Sequence, residues 1–370
     1  MRYQAIMIAA ALAALTFAGR AAAQIHAIEP EQAGADFPLQ GEYLGEAVVG
    51  GTRTVLAAQV AAMGGGVFRA VMLPGGFPGA GYKGTGRVEA PGTRSGAKGS
   101  ATGGGYQLAF DGTDLTGSGP GGVTVTLHRT VRSSPTMGLA APSGATILFG
   151  GKDLSAWDST AGIDARGFLK VPSQTKPISG NFSVHLEFRV PFEPEGRGQA
   201  RGNSGFVMPT GTWSELQVLD SFGDEPLIDG LGSVYANAKP LVVASLPPLA
   251  WQTYDIQYTA PVTSGTTAPA KFTAWINGVL VQEGTVLKNR PTASVILLQD
   301  HTHPVFYRNI WMVPGKSDYD FMSGVSIAVP RKNQNAGLHG SGFALKGGVP
   351  LFRSGSAGVF VSPLGRIMRE

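Results

Sequence analysis

The chain has 370 residues, a formal net charge of +4 and no cysteine, which excludes disulfides and thiolate metal sites. Its 54 glycines and 25 prolines, with only 15% charged residues, point to β-structure with many turns. The basic excess is local: residues 331–370 carry +5 and the remainder −1, so no basic face marks the main domains for nucleic acid.

Residues 1–23 read as a secretory signal peptide: Met1-Arg2, an apolar run from Ala5 to Ala18, then Ala21-Ala22-Ala23 before Gln24. The run is too short to span a bilayer, which takes about 20 residues, and no later stretch is long enough. The mature protein is expected to be exported and soluble. Residues 36–132 follow as a small, Gly-rich β domain, with apolar runs at Arg53–Met63, Gly66–Leu73, Tyr106–Phe110 and Gly122–Arg129 separated by turn signals. Its Asp36, Glu42, Asp111, Asp114 and His128 are scattered, which suits a structural or binding role. Residues 133–145 read as a linker.

The second domain, 146–315, has the clearer strands. Phe182–Phe192 alternates almost throughout, with Phe182, Val184, Leu186, Phe188, Val190 and Phe192 on one face and Ser183, His185, Glu187 and Arg189 on the other. Trp251–Ala260, Ser294–Asp300 and Phe306–Val313 read as strands, and Asn277-Gly278 inside Phe272–Gln282 is the strongest two-residue hairpin signal. Strands at this spacing without helices predict an all-β sandwich or jelly roll. The basic, Gly-rich tail 316–370 has short apolar runs at Phe343–Leu345 and Gly358–Val361, and reads as a sorting tail, a small hairpin or a disordered end.

The chemistry concentrates in Arg201–Asp220 (RGNSGFVMPTGTWSELQVLD). On a strand, Glu215 and Gln217 share one face while Leu216 and Val218 pack on the other. Asp220 joins the first two only if a β-bulge inserts one residue between Gln217 and Asp220. A row of acid, amide and acid on a sheet face is a device for handling sugars; a solvated strand face is the plain alternative. The loop at 197–205 brings Arg201 and Asn203 toward a ligand and lacks the spacing of a phosphate cradle. Gln299-Asp300-His301-Thr302-His303, at the end of an apolar strand, belongs at a rim or cleft. There His301 and His303 either share a divalent metal with a carboxylate or make surface hydrogen bonds. No cofactor is assigned beyond that candidate metal.

These motifs carry a family resemblance. Ile147–Trp157 (ILFGGKDLSAW) resembles the LFNGKDLSGW opening of the 3-keto-disaccharide hydrolase family, and RGNSG at 201–205, SELQVLDSFG at 214–223, WQTYDIQYTAP at 251–261 and LLQDHTHPVFYRNIWMVP at 297–314 fall in that family's order. The resemblance implies a concanavalin A-like jelly roll and an enzyme that cleaves glycosides oxidised to a ketone at sugar C3, with a lectin-like, non-catalytic glycan-binding module as the alternative. It places Glu215, Gln217 and Asp220 on the family's E-x-Q-x-x-D strand and Gln299, Asp300 and His301 on its QDH. Glu215 becomes the first candidate for base or acid, with Asp220 and His301 supporting it or binding a metal. Arg201, Asn203, Gln217, Gln299, Asp300 and Arg308 become candidates for binding sugar hydroxyls, and Trp213 for stacking on a ring. The chain departs from the family at Thr212–Leu216, at Gly232-Ser233-Val234-Tyr235 and at Thr302-His303, all near the expected pocket.

Overall fold

The structure is a computed structural model describing residues 26–210, 212–287 and 295–323 and the backbone of three short C-terminal strands. The signal-peptide region and Phe343–Leu345 lie outside the described residues. Eight antiparallel strands open the fold: β1 (Gly41–Val49), β2 (Thr52–Ala62), β3 (Val67–Pro74), β4 (Val88–Ser95), β5 (Lys98–Gly103), β6 (Tyr106–Phe110), β7 (Asp114–Gly119) and β8 (Val123–Thr130). Each pairs with the next, and β8 returns to β1 from Thr124↔Val48 to Thr130↔Glu42, closing a barrel with no free edge. An eight-stranded barrel is just wide enough for its side chains to fill. Tyr43, Leu56, Phe68, Met72, Phe110 and Leu127 do so, with alanines at 58, 62, 70, 90 and 101 leaving them room. Gly99 shows why small residues are needed: a Cβ there would lie 2.1 Å from the Phe110 ring. Two of the scattered acids hold the barrel together, since Glu42 accepts from Arg132 and Gln59 and Asp36 from Arg94.

The second unit is a two-sheet antiparallel sandwich. Its strands are β9 (Thr146–Phe149), β10 (Trp157–Thr160), β11 (Ser173–Thr175), β12 (Phe182–Arg189), β13 (Ser204–Thr210), β14 (Thr212–Val218), β15 (Gln252–Thr259), β16 (Lys271–Ile276), β17 (Val279–Val286), β18 (Leu297–Leu298) and β19 (Phe306–Pro314). One sheet has the order β10-β11-β18-β13-β14 and the other β17-β16-β15-β12-β19-β9. The core between them unites Val184, Leu186 and Phe188 with Phe206, Leu216, Val218, Tyr254 and Phe272, as the alternation predicts. Asn277 and Gly278, at φ 51° and 75°, make the expected hairpin turn. Three C-terminal strands, β20 (Val349–Ser354), β21 (Ala357–Val361) and β22 (Ile367–Met368), form a small sheet of their own.

Two features differ from the sequence reading. Ser183, His185, Glu187 and Arg189 face away from the core yet are buried: residues 134–139 of the expected linker lie across His185 and Glu187, Lys316 and Tyr319 cover Ser183, and Glu29 and Leu249 hold Arg189. Phe192 leaves the sandwich altogether: it enters the barrel core, with its ring edge-on to Phe37 at 5.2 Å. Further contacts join the two units, Arg69 to Asp224, Arg197 to the Met63 carbonyl and Arg201 to the Ala62 carbonyl. A cleft of about 470 Å³ opens beside them, lined by Tyr82 and Arg87 on one side and Asp224, Glu225 and Leu241 on the other.

Candidate functional site

The outer face of the five-stranded sheet carries the polar row. Gly205 on β13 stands opposite Gln217 on β14, and on its other side the Gln299 amide N–H donates to the Gly205 carbonyl. Because Phe206, Leu216 and Leu298 point into the core, their neighbours Gly205, Gln217 and Gln299 point outward. Asn203, two residues before Gly205, shares that face, and so does Glu215, opposite Val207. Gly205 forms the floor: a Cβ on it would lie 2.3 Å from Glu215 Oε1, so the carboxylate rests directly on the strand.

The row is buried rather than solvated. Asn203 and Gln217 have no exposed surface and Glu215 has 4%. Gln199 ties the amides: its Oε1 accepts from Asn203 Nδ2 (3.1 Å) and Gln217 Nε2 (3.0 Å), while its own Nε2 donates to the Asp229 carbonyl (2.8 Å). Asn203 Oδ1, Gln217 Oε1 and Gln299 Oε1 are buried acceptors with no donor among the described residues. Three orphaned acceptors on the face of one carboxylate are costly unless water or a ligand supplies the hydrogens. Below the floor, Tyr307 and Ser204 hydroxyls lie 2.8 Å apart and Tyr254 donates to the Gln217 carbonyl. Burial, reinforced by the Glu215 charge, raises both tyrosines and keeps them protonated.

Asp220 ends this face, tied to Arg201. The β13–β14 ladder runs without a register shift to Val218, and the irregularity falls after it, between Val218 and Asp220, where the Asp220 N–H donates to the Arg201 carbonyl. Alternation slips just beyond it: Val218 and Leu219 both enter the core, and Asp220 emerges against Arg201, whose Nε donates to Oδ2 at 2.6 Å. Burial raises the Asp220 carboxyl despite that partner. Arg201 also donates to the Ala62 carbonyl, so it anchors Asp220 and the barrel rather than facing the row. Trp213 lies on β14, and its side chain is outside the described residues. Gly232–Tyr235 flanks β14 as an added edge, through a Leu216–Val234 bridge and the Tyr235 N–H on the Glu215 carbonyl.

The QDH end divides in two. Gln299 belongs to the row, whereas Asp300 and His301 are exposed, and Asp300 Oδ1 accepts the Thr302 N–H (2.7 Å) to shape a turn. The expected pairing of His301 with His303 is not formed. His303 turns inward and donates from Nδ1 to Glu193 Oε2, while His26 donates to Oε1, both at 2.6 Å. Arg308 lies on the other sheet. A bulge at Asn309, where φ is 46°, turns both side chains toward Glu187, and Arg308 stacks on Trp251 at 4.0 Å. Nothing in the apolar pattern of β19 distinguishes the two faces of the molecule, so the sequence alone does not separate this arginine from the row. The role of Gln199 had no signal beyond its Gly-rich loop.

The fold and site define an all-β sandwich with a buried acid-and-amide row on the outer face of one sheet. The family model that matches residues 144–313 is the 3-keto-alpha-glucoside-1,2-lyase-like domain, and the chain belongs to that family. Two solved structures from Parabacteroides distasonis, each described as a "putative glycosyl hydrolase", are similar to it. One is 36% identical over 46% of this chain and 84% of its own, with a TM-score of 0.42. The other is 22% identical over 48% and 94%, with a TM-score of 0.33. No curated protein matches the chain.

Proposed function

We propose that the 146–315 domain cleaves 3-keto-glycosides, with Glu215 as the base, and that the protein is exported. The carrying observation is the buried row: a carboxylate on the Gly205 floor, sharing its sheet face with Asn203, Gln217 and Gln299, whose side-chain oxygens have no donor among the described residues. Sugar hydroxyls supply such donors, and three of them fix a ring over one carboxylate. Asp220, held by Arg201, is not free to act as a second carboxylate, which disfavours ordinary retaining hydrolysis.

A ketone at C3 acidifies the C2 proton, so one well-placed base suffices. Glu215 takes that proton and the C2–H electron pair forms the enolate. The enolate re-forms the C3 carbonyl and a C1–C2 double bond while the C1–O bond breaks, and the departing alkoxide takes a proton from Glu215. Water then adds, oxygen to C1 and hydrogen to C2, to give the free keto sugar; the sequence is redox-neutral. Export rests on the leader pattern of residues 1–23.

The test uses a chromogenic glucoside and its 3-keto derivative with the full-length protein. The account expects aglycone release from the keto form alone, with a primary isotope effect when C2 carries deuterium. Saturable binding of unoxidised glycans without turnover of any keto sugar would instead identify a binding module.

A further inference from the structure

We propose that His26, Glu193 and His303 form a binding site for a divalent transition-metal ion of the zinc class, at the junction of the N-terminal segment and the sandwich rim. One ligand atom from each of the three lies within 4.8 Å of the others. On a tetrahedral ion with bonds of 2.0–2.1 Å, ligand atoms sit about 3.4 Å apart, so closure needs a movement of only about 1 Å. Two imidazoles and one carboxylate suit Zn²⁺, Co²⁺ or Fe²⁺ far better than Ca²⁺ or Mg²⁺.

Each ligand is placed by structure independent of the cluster. Ala27 and Phe192 exchange two backbone hydrogen bonds (3.1 and 2.9 Å), which fixes His26 beside Glu193. The Asp300–Thr302 turn and the Val305 N–H on the His303 carbonyl fix His303. The Glu193 carboxylate is fully buried and accepts from the two histidines and the Gly202 N–H, with no lysine or arginine paired to it among the described residues. The His26 side chain is 43% exposed, so one side of the cluster meets solvent, where an ion enters and a water completes its shell.

The site has a consequence for the polar row. Gly202 lies between Arg201 and Asn203, and its N–H is held by Glu193 at 2.6 Å. An ion on Glu193 therefore stiffens the stretch that presents Asn203, and ties it to residues at the start of the described chain.

The experiment takes the full chain freed of metal by chelation, titrated with Zn²⁺ by calorimetry and with Co²⁺ by visible absorption. One equivalent of Zn²⁺ is expected to bind, and Co²⁺ should develop the d–d bands of a low-coordinate ion. His26→Ala and His303→Ala should each weaken binding at least about tenfold, while His128→Ala, in its exposed pair with Asp114 on the barrel, should not. Because His26 is outside both cores, His26→Ala should melt like the wild type in chelator, which separates ligand loss from misfolding. Absence of saturable binding, or equal binding by wild type, His26→Ala and His303→Ala, overturns the proposal.

Discussion

Gly205 and Glu215 form the tightest pairing at the residue scale. The clash that a Cβ at 205 would cause falls on the Glu215 side chain and on no backbone atom, so Gly205→Ala should displace the carboxylate while leaving the strand in place. A displacement of about 1 Å lowers turnover roughly 100-fold; kcat with an unchanged melting temperature is the readout, and unchanged kcat counts against the floor. Asp220→Asn should do the reverse. Breaking a buried ion pair costs about 3–5 kcal/mol, so Arg201, left without its anion, should lower denaturant stability markedly. At this scale the sequence told which side chains share a strand face, since Glu215 and Gln217 alternate with core leucine and valine. It could not tell that Asp220 meets Arg201, or that His26 and His303 meet at Glu193 from 167 and 110 positions away.

At the element scale, strands with strict alternation were legible and those without it were not. β12, β15 and the β16–β17 hairpin were found because their apolar faces build one core. In the barrel, β4, β5 and β7 are Gly-, Ser- and Thr-rich, and only ring closure makes them strands. The polar face of β12 reads as solvated until the linker covers it. Under that cover His185 donates to Asp255 (2.6 Å); burial pulls its pKa down, but Asp255 and Glu187 prevail and push it up to about 9. A proton held in the folded state and released by the unfolded chain above about pH 6.5 stabilises fully below that value, and the benefit is lost as pH rises through about 9. The melting temperature should therefore fall across that window in the wild type, and less steeply in His185→Gln; equal slopes would exclude the linkage. Gly278→Ala tests the hairpin. Its positive φ and a Cβ 2.4 Å from Pro135 Cγ predict a loss of about 1–3 kcal/mol.

For the whole molecule, the two β units are joined by more than a linker. Phe192 and Leu249 come from the sandwich segment yet sit in the barrel core. Truncating a buried Phe typically costs about 3–5 kcal/mol, so the wild type should melt in a single calorimetric transition and Phe192→Ala should lower the melting of the barrel and split it. A single, unshifted transition would show that the units are independent. The barrel also shapes the sandwich rim, because the Ala62 and Met63 carbonyls hold Arg201 and Arg197 on either side of Gln199, the residue that gathers the amides of the row. Everything converges on one carboxylate above Gly205. The most direct measurement is aglycone release from a 3-keto-glycoside by wild type and Glu215→Gln: loss of general-base catalysis should lower kcat by about 100-fold or more, with the melting temperature retained. Release at the wild-type rate by Glu215→Gln would contradict the assignment of the base.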